Sequence, residues 1–569
     1  MKFLFAILVA FLVTVALTAS TTAQVVERYF RFTIKDKSEL DRLTRTISIA
    51  RVNHDTVHAY ANEKEWATFR SMGYDAVALP YPRWRYEREV SKSLMALQDW
   101  DSYPTYQRYL TMMARYATDF PSFCRLDTIG LSVEGRLILA LKISRMVNIR
   151  EDRPQVFYTS SMHGDELTGC ILLLRLADYL LNQYGQATAE GQRVTKLLDN
   201  VEIWLNPLFN PDGAYRLGGD TSVSSATRYN ARGVDLNRNF PDRILYPVNT
   251  IDGREPETQA MMLWTRKHNF TLSANFHSGV RVVNYPWDNG ATSGTYSRCP
   301  DDQWFIHVSR TFATPNPDIM NGGFRNGITN GCEWYVIYGG RQDWMNWWNG
   351  GREVTIELEN DGIPPGSWLP LYWSHNKESF LAYMEEALQG IRGIVADAET
   401  HLPLKARLDA VDPLSLPVFS DSTVGDYHYL LLPGTYSIVV QAPGYEPDTI
   451  HNIVVAESLA TRVDIALRQI AVAVDDARSE LPGHGWLSQN YPNPFNPTTM
   501  ITFQIPNPNY VTLKVYDMLG REAAVLVNER REAGVHTATW NAKGMATGIY
   551  YYRILAGEFH AVKTMIVLR

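Results

Sequence analysis

The segment His163-Gly164-Asp165-Glu166 carries the strongest chemical signal in the chain. It follows the apolar run QVFYTSS and precedes the amphipathic run LTGCILLLRLADYLL, so the pattern predicts a strand, a turn and a helix. A histidine and a glutamate three residues apart at such a turn can both face one ion, with nitrogen and oxygen donors about 2.0–2.2 Å from zinc. That spacing alone is a weak motif, and a third donor has to come from elsewhere. Of the 13 histidines, His277 stands out because it ends the apolar run LSANFHSG, where small neighbours leave room for a metal and a substrate. Two imidazoles and one carboxylate without a thiolate suit zinc. Three protein ligands also leave a fourth position for water, the arrangement of a catalytic site. The chemistry then needs a carboxylate as base, and Glu353, Glu357 and Glu359 recur in EVTIELEN. Side chains alternate along a strand, so all three share one side and alternation does not choose among them.

These residues sit between about Asp101 and Gly393, where the apolar runs QVFYTSS, VEIWLNP, FTLSANFHS and EVTIELEN alternate with amphipathic stretches. That alternation predicts a mixed α/β sheet flanked by helices. Before it, VVERYFRFTI, SELDRLTRTIS, TVHAYAN, EKEWATFRSMGY and AVAL read as strand, helix, strand, helix and strand, a small α+β segment. Beyond Gly393 the texture changes to short alternating strands broken by Gly and Pro, the pattern of β-sandwich modules. The expected organisation is 1–23 signal peptide, 24–92 α+β segment and connector, 93–392 catalytic region, 393–470 first β-module, 471–486 linker and 487–569 second β-module.

At 569 residues the chain exceeds one compact core, so several domains are expected. Met1-Lys2, the apolar run Phe3 to Leu17 and the small polar stretch Thr18 to Gln24 describe a secretory signal peptide, and no later segment is apolar enough to span a bilayer. A formal net charge of −7 gives no reason to expect nucleic acid or an anionic membrane as partner. The four cysteines include no CxxC pair, which argues against a thiolate metal site; Cys299 with Cys332 is the first candidate for a disulfide.

From Tyr103 to Arg392 the chain resembles the metallocarboxypeptidase family of carboxypeptidases A, B and the N/E type. The resemblance rests on MHGDE, NPLFNPDG, GVDLNRNFPD, EPET, LSANFHSG, YPWD, GITNGCEWYVIYGGRQDW and EVTIEL in the family's order. It implies that His163, Glu166 and His277 hold Zn2+ and that Glu357 is the general base. By the same resemblance Arg228 polarises the scissile carbonyl, with Arg232 as rival. Asn237 and Arg238 grip the substrate's terminal carboxylate, and Tyr335 closes over it, with Tyr338 as fallback. Asp288 and Gln342 match the N/E-type positions that receive a Lys or Arg side chain, whereas Arg341 stands where relatives often carry Met.

The implied activity is removal of C-terminal residues, basic ones foremost, from peptides or proteins. A zinc amidohydrolase or peptidoglycan peptidase would share the zinc motif, and a non-catalytic peptide- or glycan-binding protein would be expected to lack Glu357 or a ligand; Asn237, Arg238 and Tyr335 together favour an exopeptidase. Gly393 to about Gln469 resembles a transthyretin-like, carboxypeptidase regulatory-type β-sandwich. From about Leu487, YPNPFNP, YDMLGRE and GIYYYRI resemble the C-terminal sorting domain of the type IX secretion system. That implies export through the periplasm of a Gram-negative bacterium to the surface or the medium, with the secretion machinery as partner. The N-terminal α+β segment is a candidate pro-segment.

Overall fold

A computed structural model describes residues 27–81, 90–91, 100–216, 219–412, 415–457, 459–470, 485–490, 492–493, 495–517, 521–557 and 559–567. The signal peptide, most of the connector before the catalytic region and most of the linker at 471–486 lie outside the described residues. The chain divides into two compact units, 1–470 and 471–569.

The first unit opens with β1 (Arg28–Thr33), β2 (Ser48–Asn53), β3 (Thr56–Ala61) and β4 (Ala76–Ala78), a sheet in the order β2-β3-β1-β4. Helix α1 (Glu63–Ser71) starts with reciprocal bonds between Asn62 and Glu65, which satisfy two backbone donors at its N-terminus. The helix expected over SELDRLTRTIS stops at Leu43, and Ser48 already belongs to β2. β-Branched Ile47 and Ile49 are buried there, and the two-residue loop His54-Asp55, with φ 54° at His54, turns β2 back onto β3.

Eight strands build the central mixed sheet: β5 (Cys124–Leu131), β6 (Leu137–Ile143), β7 (Gln155–Ser160), β8 (Glu202–Asn206), β9 (Phe270–His277), β10 (Val282–Tyr285), β11 (Ile328–Asn330) and β12 (Arg352–Glu357). Their order is β11-β10-β12-β9-β7-β8-β6-β5, with β8, β7, β9 and β12 mutually parallel. Strand β7 is buried along its whole length, as expected for a parallel strand covered on both faces. Val156 and Tyr158 join the core under α2 (Tyr106–Asp119), α3 (Thr168–Gln183), α4 (Ala189–Asn200), α6 (Asp302–Ala313) and α8 (Leu369–Glu385). Phe157 points the other way, into the cluster formed with α5 (Pro256–Thr265) and α7 (Arg341–Trp348).

Residues 391–467 add two small sheets that share one core, and Leu416 and Leu430 pack into the core of the central sheet. Arg150 grips Asp426 through two bonds of 2.8 and 2.7 Å across that seam. In the second unit, a three-stranded and a four-stranded sheet share a core built around Phe503, Leu513 and Tyr552. The expected pairing of Cys299 with Cys332 is not formed. All four thiols are free and buried, and the Cys332 thiol is directed instead at the carbonyl of Ala291, 3.2 Å away.

Candidate metal centre and substrate cleft

The turn after β7 carries His163 and Glu166 and is held against a second turn, Asn210 to Ala214. A Cβ added to Gly164 would stand 2.3 Å from the backbone of Gly213, so only glycine permits this approach. Arg136 fixes the second turn from behind, its Nη1 2.8 Å from Asp212. His277 ends the adjacent parallel strand β9, and the three side chains converge. His163 Nδ1 is 2.9 Å from one Glu166 oxygen, His277 Nδ1 is 2.9 Å from the other, and the two ring nitrogens are 3.1 Å apart. Donors about 2.0 Å from one tetrahedral ion stand roughly 3.3 Å from each other, so this nitrogen, nitrogen and carboxylate set fits a zinc ion. The other ring nitrogen of His163 meets Asp235 at 3.1 Å, the outer partner that fixes a metal-bound imidazole. Asp235, in GVDLNRNF, was not singled out from the sequence; its place two residues before Asn237 is the only signal there.

Burial opposes ionisation of Glu166, but the charges of His163 and His277 prevail and hold its carboxyl well below the usual carboxylate range. Arg228 lies over the same carboxylate, Nη1 2.9 Å from Glu166. Burial works against its charge too, yet the carboxylates of Asp235 and Glu166 keep its guanidinium firmly protonated. Arg232, by contrast, is largely exposed and faces Glu255 at 3.6 Å, and it does not reach the Glu166 carboxylate.

Strand pairing separates the three glutamates that alternation left equivalent. β9 and β12 run parallel with Ser273 opposite Glu353, Asn275 opposite Thr355 and His277 opposite Glu357. Glu353 is tied to Ser273 at 2.8 Å and to Asn275 at 3.2 Å, and Arg341 Nη2 stands 3.0 Å away. Glu359, beyond the strand, accepts from Thr168 at 3.1 Å. Glu357 is left beside His277 with one carboxylate oxygen that has no hydrogen-bond partner among the described residues. Burial, reinforced by the charge of Glu166, pushes its carboxyl well above the usual range, although Arg228 opposes this.

Farther along the cleft, Asn237 is fixed by accepting from the backbone of Arg341 at 3.0 Å. Arg238 bonds only its own neighbour's carbonyl through Nη1, leaving Nε and Nη2 buried and unpartnered among the described residues. Tyr335 is buried, and its hydroxyl donates to the carbonyl of Ile49 at 3.2 Å; burial lifts its phenol to about 12. Tyr338 turns to the N-terminal unit, where Arg45 lies 3.0 Å from its hydroxyl. Asp288 accepts from Asn284 and Gln342, both at 2.9 Å and both on the same oxygen. A Cβ on Gly331 would collide with that oxygen at 2.0 Å. Burial pushes the Asp288 carboxyl up to about 6, against the Asn284 bond and the charges of Arg238 and Arg243. Arg341 does not reach this pocket, because it is fully buried against Glu353 and the face of Phe157.

A second group of donors, Asp152, Asp426 and His428, lies at the seam with residues 391–467. Arg150 and Arg462 already match its charge, at 2.7 Å from Asp426 and 2.6 Å from Asp152.

Residues 109–379 match the family model described as zinc carboxypeptidase, and residues 489–568 match the secretion system C-terminal sorting domain. Human carboxypeptidase D is 36% identical over 399 residues, covering 68% of this chain and 28% of that protein. The catalytic chain of mouse carboxypeptidase N is 35% identical over 397 residues, covering 64% of this chain and 85% of that one. The chain belongs to the zinc carboxypeptidase family. It spans little more than a quarter of the length of the carboxypeptidase D relatives but most of carboxypeptidase N. The solved carboxypeptidase A from Helicoverpa armigera aligns over 63% of this chain and 97% of its own, at 16% identity and a TM-score of 0.47. Among the described residues no helix is long and apolar enough to cross a membrane.

Proposed function

We propose that the chain removes C-terminal residues from peptides or proteins, with a preference for Lys and Arg, at a zinc site formed by His163, Glu166 and His277. The observation that carries this reading is an unpartnered guanidinium edge at Arg238 close enough to a buried carboxylate at Asp288 for its charge to favour that carboxylate's ionised form. A free chain end presents a carboxylate to the first and a basic side chain to the second. Zinc bound by the three ligands would bring the pKa of a water toward about 7 and polarise the scissile carbonyl. Glu357 takes a proton from the attacking water and returns it to the leaving amine. Arg228 donates to the oxygen on which charge develops, Asn237 and Arg238 hold the terminal carboxylate, and Tyr335 covers it. Gln342 and Asn284 keep Asp288 oriented through one of its oxygens, and the other is the one a basic side chain would meet.

The signal peptide and the sorting domain together favour export through the periplasm and passage over the outer membrane by type IX secretion, to the cell surface or the medium. The family's regulatory-type β-sandwich remains the reading for residues 393–470.

The test is hydrolysis of blocked dipeptides ending in Arg, Lys, Phe or Leu, with and without a zinc chelator, beside Glu357→Gln. Release of Arg and Lys, abolished by chelator and by the substitution, is expected. Release of Phe and Leu alone would remove the basic preference. No release from any of the four by protein freed of its N-terminal α+β segment would point to an amidohydrolase or a binding protein.

A further inference from the structure

The four parallel strands that lead to the candidate site also begin side by side, and the residues at their starts form a polar row. Glu202 opens β8, Gln155 opens β7, Asn269 directly precedes β9 and Arg352 opens β12. Gln155 Nε2 donates to Glu202 at 3.2 Å, and the backbone N–H of Asn269 donates to Gln155 Oε1 at 2.8 Å. Glu202, Gln155 and Arg352 are all buried.

Residues 391–467 hold this row at three points. Arg150, whose Nη1 stands 3.1 Å from Glu202, grips Asp426 by its two bonds. Asn269 Nδ2 donates to the carbonyl of Phe419 at 2.8 Å. Arg352 Nη2 donates to the carbonyl of Leu416 at 2.6 Å, and its Nε stands 2.9 Å from Asp301. Asp301 in turn accepts from the backbone of Leu416 at 3.2 Å and from the Ser415 hydroxyl. Buried charged partners are a costly way to close a seam, but each of these bonds is met in one alignment only.

Alignment matters most at β9. Phe270 pairs with Gln155, but the next rung joins Val156 to Leu272, so Thr271 is an extra residue, a bulge. Leu272 is also the residue opposite Arg352. From there the ladder runs unbroken to Phe276 opposite Ser160, which brings His277 to the turn of His163 and Glu166 and sets it opposite Glu357. Without the extra residue β9 would shift by one rung, and Phe276 would arrive where His277 now stands. The bulge lies between the two seam contacts, Asn269 just before it and Arg352 across from the rung just after it.

We infer that residues 391–467 are a register clamp for the central sheet. Through Asn269 and Arg352, the carbonyls of Phe419 and Leu416 hold β9 in its bulged alignment and so place His277 against Glu166 and beside Glu357. Asn269 and Arg352 are positioning residues that act from the far ends of the strands, about 17 Å from the site along β12. The inference rests on the reading of His163, Glu166 and His277 as a metal site.

The test uses the full chain with Asn269→Ala and, separately, Arg352→Met with Asp301→Asn, which opens the second grip without stranding a buried charge. Ile453→Ala, in the core of residues 391–467 and in none of the seam bonds, controls for lost stability. Each protein is read at a temperature where it is folded. Zinc affinity, measured by competition with a chelator, should fall about tenfold or more in both seam variants and stay within about twofold in Ile453→Ala. The visible spectrum of the cobalt-substituted chain should change in the seam variants alone, as His277 withdraws. Hydrogen exchange of residues 272–277, followed without metal, should quicken in the same two. Zinc affinity and exchange unchanged in folded Asn269→Ala overturn the inference, and so does an equal loss in Ile453→Ala. Faster exchange in the seam variants of a chain that binds no zinc or hydrolyses no peptide would sink the reading of the cleft and leave the clamp standing, so the two fail independently.

Discussion

Asp288→Asn is the perturbation that bears most directly on substrate choice. The carboxylate is 2% exposed, and its two side-chain donors, Asn284 and Gln342, both bond one oxygen. The second oxygen is thereby left for a ligand. Removing one member of a buried, hydrogen-bonded charge pair costs 2–5 kcal/mol or more. Asn keeps the shape and one acceptor, so the low end applies, about 2–3 kcal/mol, or roughly 30- to 150-fold at 1.4 kcal/mol per tenfold. Blocked dipeptides ending in Arg and Leu, assayed side by side with the N-terminal unit displaced, separate this from general damage. Because the pair is formed with the side chain and not with the reacting bond, kcat/KM for Arg should fall through KM, and Leu should change less than threefold. Equal losses for Arg and Leu would refute the pocket, and an unchanged Arg rate would place the basic side chain elsewhere.

Burial raises the Asp288 carboxyl to about 6, so the ionised form is present above that pH and lost as pH falls through it; KM for Arg substrates should therefore rise about tenfold from pH 7 to pH 5, with Leu substrates setting the baseline. Asp235→Asn removes the carboxylate behind His163 and should weaken zinc affinity about 10- to 100-fold, read by competition with a chelator. Arg341→Met leaves Glu353 buried without its charge partner and should cost about 3–5 kcal/mol in denaturant unfolding, most of it recovered by adding Glu353→Gln; retained stability in the single variant would deny the pair any role.

The central sheet was largely legible because its strands are buried on both faces and read as continuous apolar runs, as in QVFYTSS and FTLSANFHS. The turn carrying His163 and Glu166 was legible for a related reason: both donors lie on one short segment. Strand β2 was not. Its residues SIARVN follow a stretch rich in helix formers; pairing with β3 holds Ile49 as strand, and Ile47 and Ile49 pack against the catalytic region, which spacing cannot reveal. The same holds for Arg341. On sequence it stood next to Gln342 as a threat to a basic pocket. Consecutive residues at the start of α7 point to different sides, so Gln342 meets Asp288 while Arg341 turns beneath the sheet to Glu353.

What sequence spacing could not supply is pairing between distant segments, and the candidate site consists of such pairs. Glu357 is distinguished from Glu353 and Glu359 only by the register that sets it beside His277. His163 depends on Asp235, Asp288 on Gln342, and Arg228 and Tyr335 on a strand from the far end of the unit. Contacting residues that share partners do not have additive effects. A substitution at Arg228 therefore reports on release of β2 as well as on the reacting carbonyl, and only a comparison made with the N-terminal unit already displaced isolates the second.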